Sequence, residues 1–151
     1  MFTLVPSAFF NPASKREALA EVATIKEDCE VRHIEIKDYN AVLIYTVDED
    51  SVVSVPDIVG ILDKLQECPE YNKILCSIKE DRLYIAIAQG KTLLMANSFQ
   101  VQDFTTAQYY IFLSIKAHQI NPEMSTICWT SELGADEEMS LYRYFKSVVT
   151  I

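Results

Sequence analysis

Few residues in this chain are spaced for chemistry, and each candidate can be set against what its reaction needs. Gly90-Lys91-Thr92 invites a phosphate-loop reading. That motif requires a second glycine five residues upstream of its Gly-Lys pair and opens a helix. The upstream position is Ile85, inside an expected strand, and Thr92 begins another, so Gly90 is expected to turn a hairpin with positive φ. Two-metal cleavage of nucleic acid needs carboxylates held on strands. The strands expected at 73–78, 82–88 and 92–101 contain no Asp or Glu, and the helix after them offers only Gln108 and Tyr109. Cys29, Cys68, Cys76 and Cys128 show neither Cys-x-x-Cys nor Cys-to-His ligand spacing, so reduced, buried thiols are expected. His33 falls on the polar side of a strand, and His118 at a helix C-terminus, where a partly cationic ring is favourable on structural grounds alone. Asp48, Glu49 and Asp50 form an acidic loop that would hold a cation only weakly. No catalytic residue, metal site or cofactor is expected.

The elements that must position these residues follow from periodicity. A β-like segment at 2–5 is stopped by Pro6, which suits either a sheet edge or a piece of a longer ancestral domain. Asn11-Pro12 supplies a cap and a first-turn proline, and Ala18, Leu19, Val22 and Ile25 continue a helix over 12–25. Lys15-Arg16 reads as part of its solvated face. Residues 31–36 alternate, 38–40 supply a turn, and 41–47 are apolar on both faces, as in a central strand. Ser54-Val-Pro-Asp57 resembles a capping box for a helix carrying Ile58, Ile61, Leu62 and Leu65. This first half, 1–70, reads β-α-β-β-α.

The second half, 71–151, opens with three strands joined by Lys79-Glu80-Asp81 and by Gln89-Gly90-Lys91. Thr105-x-x-Gln108 is expected to cap a helix at 105–118 that is apolar nearly all round, and that either packs between a sheet and another layer or contributes to a partner interface. A strand at 125–129 follows Asn121-Pro122. Asp136, Glu137 and Glu138 suit the start of a last helix, with Leu141, Tyr142, Phe145, Val148 and Val149 on one stripe to the chain end. The pattern β-β-β-α-β-α is that of a ribonuclease-H-like or actin-like subdomain, within a mixed α/β (α+β) fold.

Composition sets the outer bounds. At 151 residues, half of them apolar and only 3 Gly, the chain can bury a core of about 70% of its extended surface. A net charge of −9 repels phosphate backbones and anionic lipids, so no nucleic-acid partner is expected. No apolar run approaches the ~20 residues of a membrane span, and the first residues lack the basic region of a signal peptide. The expected compartment is the cytoplasm.

Several segments resemble a known family when taken together. They are 2–10 (Phe-Thr-Leu-Val-Pro-Ser-Ala-Phe-Phe), 38–45 (Asp-Tyr-Asn-Ala-Val-Leu-Ile-Tyr), 83–87 (Leu-Tyr-Ile-Ala-Ile) and 93–99 (Leu-Leu-Met-Ala-Asn-Ser-Phe), then 104–112 (Phe-Thr-Thr-Ala-Gln-Tyr-Tyr-Ile-Phe) and 129–132 (Trp-Thr-Ser-Glu). They resemble the bacterial domain-of-unknown-function family 3822, whose members are similar to actin-like ATPases and usually longer at the N-terminus. The resemblance therefore implies a shortened member. It also implies where a nucleotide would sit. Actin-like ATPases cradle phosphates on a Gly-containing hairpin after the first strand, because glycine permits close backbone approach. The corresponding turn here, Lys79-Glu80-Asp81, has no Gly and two carboxylates, of which Lys79 offsets one. The adenine side usually carries a Gly-Gly turn, whereas the loop from Thr130 through Ser131 to Gly134 has a single Gly. The implied function is a non-catalytic, actin-like-fold protein acting through protein contacts. Tyr109, Tyr110 and Phe112 are its interaction candidates, with self-association as a homodimer covering an exposed sheet edge. The alternative is a nucleotide-binding relative of the actin-like ATPases with a degenerate or shared site.

Overall fold

The computed structural model describes residues 1–47 and 56–151. The expected acidic loop at Asp48, Glu49 and Asp50 and the expected cap at Ser54 lie outside the described residues. The chain forms two compact units, Met1–Pro56 and Asp57–Ile151. The halves expected from sequence, 1–70 and 71–151, place the helix after Asp57 in the first.

In Met1–Pro56, strands β1 (Phe2–Pro6), β2 (Glu30–Ile36) and β3 (Ala41–Val47) make an antiparallel sheet in the order β1-β3-β2. β3 is central, as its two-sided apolar sequence implies, and Ala41 to Tyr45 are all buried. The β2–β3 turn ends on Asn40 at φ 50°, a left-handed conformation that Asn tolerates better than most residues. Asn11 accepts from the Ala13 N–H ahead of a 3-10 turn at Pro12–Ser14. The α-helix α1 then covers only Lys15–Ala20, and the chain leaves it before the expected end at 25. Val22, Thr24 and Ile25 are β-branched and gain little from helix. Leu19 packs with Val31 and Ile44 beneath Val5, Phe10 and Ile25. Arg16 is not simply solvated: its guanidinium donates to the carbonyls of Cys29 (2.7 Å) and Lys26 (2.6 Å) and so ties down the loop before β2.

In Asp57–Ile151, α2 (Asp57–Lys64) precedes β4 (Asn72–Lys79), β5 (Arg82–Gln89) and β6 (Thr92–Gln100). Then come α3 (Phe104–Ala117), β7 (Thr126–Trp129), α4 (Ala135–Tyr142) and β8 (Ser147–Thr150). The sheet order is β6-β5-β4-β7-β8, antiparallel through β4 to β6 and parallel from β4 to β8. Because side chains alternate across a sheet, its two faces bury different sets. Ile74, Cys76, Leu83, Ile85, Ile87, Ile127 and Trp129 form one core with Ala107, Ile111 and Ile115 of α3 and Leu141 of α4. α2 packs across β4, β5 and β6 and buries Ile58, Ile61 and Leu62. Each fully buried Leu or Ile in these layers contributes about 1.5–3 kcal/mol.

Two sequence expectations are corrected here. α3 starts one residue early, at Phe104, because Asp103 is its cap and accepts from the Thr106 N–H at 2.7 Å. Though apolar nearly all round, it buries one face: Ala107, Ile111, Ser114 and Ile115 face the core, while Tyr109 and Leu113 are exposed. The last helix stops at Tyr142, and 147–150 form an edge strand paired with β7. Leu141, Phe145 and Val148 match a helical stripe, yet Val148, Val149 and Thr150 are β-branched or flanked by such residues and pair better in a sheet. Among the described residues, no helix is long and apolar enough to cross a membrane.

Candidate functional site

β4 and β7 are parallel neighbours, so their C-terminal ends open on the same edge of the sheet, where α/β folds place their ligands. That topology brings the two sequence-predicted loops together. Thr130 N–H donates to the Cys76 carbonyl (3.2 Å), carrying the pairing one step past β7. Ile78 N–H then donates to Ser131 Oγ (3.0 Å). The Lys79-Glu80-Asp81 turn and the loop from Ser131 to Gly134 are thus adjacent.

The turn is built without glycine. Glu80 itself takes φ 58°, the left-handed conformation that costs an L-residue about 1–2 kcal/mol. Asp81 fixes the exit: its carbonyl accepts the Val101 N–H at 2.7 Å and its carboxylate meets the Gln100 amide at 3.4 Å. Lys79 is already engaged, with Nζ 2.9 Å from Asp57 Oδ1 at the start of α2. The Tyr84 hydroxyl donates to the other oxygen of Asp57 at 3.2 Å. The hydrogen bond to Asp57 raises the Lys79 pKa. Tyr84 is raised too, first by burial and then by the Asp57 charge.

On the other loop, Gly134 caps α4. Its N–H donates to Glu137 Oε1 at 2.8 Å, so a carboxylate of the chain closes the cap and sets a negative charge at the helix start. Asp136 and Glu138 add charge to the same turn. The combined edge offers the carboxylates of Glu80, Asp81 and Glu137 and a lysine paired with Asp57. Among the described residues, no group of His, Cys, Asp and Glu side chains could hold a metal ion.

The thiols are internal. Cys68, Cys76 and Cys128 are buried. Burial pushes the Cys76 thiol up, and contact with the Cys128 thiol together with burial raises Cys68. His33 packs against Phe10 with the rings tilted by 52° and their centroids 4.7 Å apart, and His118 caps the end of α3.

The three aromatic interaction candidates separate. Tyr110 stacks on Phe99 of β6 (4.4 Å, 10°), and Phe112 packs between Tyr144 (4.9 Å) and Phe145 (5.8 Å). Tyr109 alone of the three points outward, 61% exposed, with Leu113 one turn on at 49%. Sequence reasoning missed Leu113, although its spacing from Tyr109 is the i, i+4 relation of one helix face. It also missed the Asp57–Lys79 pair, which joins residues far apart in sequence.

Comparison with known proteins agrees with this architecture. A family described as "Protein of unknown function (DUF3822)" matches residues 1–148. A crystal structure from Bacteroides thetaiotaomicron VPI-5482, described as a protein with actin-like ATPase fold and unknown function, superposes with a TM-score of 0.83 at 21% identity. The match covers 99% of this chain and 64% of that one. The likeness establishes the actin-like ATPase fold. No curated protein matches the sequence.

Proposed function

The chain belongs to the DUF3822 family, and we propose that it is a non-catalytic member of the actin-like fold that works through protein contacts. The observation that carries this reading is the 2.9 Å pair between Lys79 and Asp57. The cation of the first turn already has a carboxylate partner, and Glu80 and Asp81 stand beside it. An incoming phosphate would meet uncompensated carboxylates on this loop and Glu137 on the next. The net charge of −9 argues in the same direction against nucleic acid and anionic lipid. Tyr109 and Leu113 supply an apolar, outward-facing stripe for a protein partner. The proposed setting is the bacterial cytoplasm, in keeping with three buried, unpaired cysteines.

Calorimetric titration of the purified chain with ATP and Mg²⁺ tests the reading. The expected result is no binding tighter than millimolar. Tighter binding that is lost when Glu80 or Gly134 is replaced would overturn it.

One observation favours a second reading, a nucleotide site shared with another chain. Ile78 and Ser131 bring the two loops together, and this chain spans 64% of the structure that it resembles. In that case ATP binding would appear only after a second protein is added.

A further inference from the structure

Each of the two sheets ends in two edge strands, and three of these four edges are blunted. β2 carries Glu30, Arg32 and Glu35, β1 closes with Pro6, and β8 has only four residues. Charge, proline and brevity are among the devices that stop an edge from recruiting another strand. β6 has none of these three; a bulge at Leu94 interrupts its pairing with β5, and Met95–Gln100 run in regular register beyond it. Its nine residues, Thr92–Gln100, include no charge and no proline, and among the described residues no strand pairs with its outer side. Ala96 is part-exposed, while Ala86, opposite it on β5, is fully buried.

The outer side also has a polarity of its own. Ser98 N–H is met by the Oδ1 of the neighbouring Asn97 at 2.8 Å, a local bond that an incoming strand can replace. Beyond the strand stand opposite charges, Lys91 in the turn before it and Asp103 at the cap of α3. They lie six residues to either side of Asn97. A neutral strand with a cation before it and an anion after it is complementary to an antiparallel copy of itself.

We propose that β6 is a self-pairing edge, through which two copies of this chain join antiparallel about Asn97. Lys91 of each copy then stands opposite Asp103 of the other. Ala96 and Ser98 exchange backbone hydrogen bonds across the twofold axis, and the two Asn97 residues meet at the closely spaced, non-hydrogen-bonded position. The inference rests on the protein-contact reading above and supplies its partner, a second copy.

Sedimentation of the full chain measures the association, and disulfide trapping measures the register. In a Cys29→Ser background, Asn97→Cys is expected to form a covalent dimer under glutathione disulfide, since the close cross-strand position suits the bond. Tyr109→Cys, exposed on α3, is expected to stay uncrosslinked. Lys91→Glu exchanges two attractive pairs for two repulsive ones and should weaken the dimer roughly five- to tenfold. Asp103→Asn, which keeps the cap, should recover part of that loss when added. A monomer at high micromolar concentration overturns the proposal. So does a dimer that Asn97→Cys fails to trap or whose affinity Lys91→Glu leaves unchanged. Nucleotide binding in the calorimeter bears on the non-catalytic reading alone, so the two failures are told apart.

Discussion

Lys79 Nζ and Asp57 Oδ1 stand 2.9 Å apart, joining the end of the first core strand to the start of α2. Tyr84 donates to the same carboxylate from β5. Asp57 is therefore a shared acceptor for a cation and a phenol that both keep their protons.

That sharing predicts an alkaline signature. Both pKa values are raised above the ordinary 10.5 of lysine and 10.0 of tyrosine. The stabilisation is complete below those ordinary values and is lost as pH rises through the elevated ones. Asp57→Asn should let Tyr84 ionise at lower pH in an ultraviolet titration and flatten the alkaline fall in stability. At neutral pH the change should be small, since the pair is largely exposed.

Glu80 predicts a gain. It holds φ 58° in a two-residue turn, and Glu80→Gly removes the side-chain clash of that conformation. The variant should be unchanged or more stable by up to about 1 kcal/mol in urea denaturation. It should still not bind ATP, because Lys79 remains paired with Asp57.

Trp129 predicts an asymmetry between two substitutions. Its indole is fully buried beside Phe104, and among the described residues Nε1 has no hydrogen-bond partner. Trp129→Ala should cost about 3–5 kcal/mol. Trp129→Phe should cost clearly less, because it removes an orphaned donor whose burial costs about 1–3 kcal/mol. Urea melts of the two variants make the comparison.

The thiols predict a labelling pattern. Iodoacetamide should modify Cys29, which is part-exposed, and spare Cys68, Cys76 and Cys128 until denaturant is added. Reaction needs an accessible thiolate: burial raises Cys76, and the hydrogen bond to Cys128 together with burial raises Cys68, while Cys128, lowered by the same hydrogen bond, is spared by its burial alone. Mass spectrometry of the native and unfolded protein reads the difference.

Where the fold was legible in the sequence, the signal was local. The β4–β6 meander was readable because Glu80-Asp81 and Gly90-Lys91 punctuate three apolar runs, and β3 because 41–45 have no polar face. The failures share a different cause. Val148 sits at helical spacing from Leu141 and Phe145, so only the pairing with β7 reveals a strand. Thr105 and Gln108 imitate a capping box, yet Asp103 is better placed to accept the Thr106 N–H. The two site loops were identified as candidates, and their adjacency depends on the parallel pairing of β4 with β7. Arg16 and Asp57 act on partners that no sequence spacing discloses.

The place of β4 also sets an order of events in folding. One neighbour, β5, arrives through a two-residue turn, whereas the other, β7, arrives only after β5, β6 and α3 have been passed. Short loops close fast and distant parallel pairings slowly. The meander should therefore be the early structure, with Ile74 and Cys76 awaiting Ile127 and Trp129 across an unfilled flank. Until α3 docks and β7 slots in, that flank leaves apolar strand surface uncovered, the kind of surface that promotes misassembly.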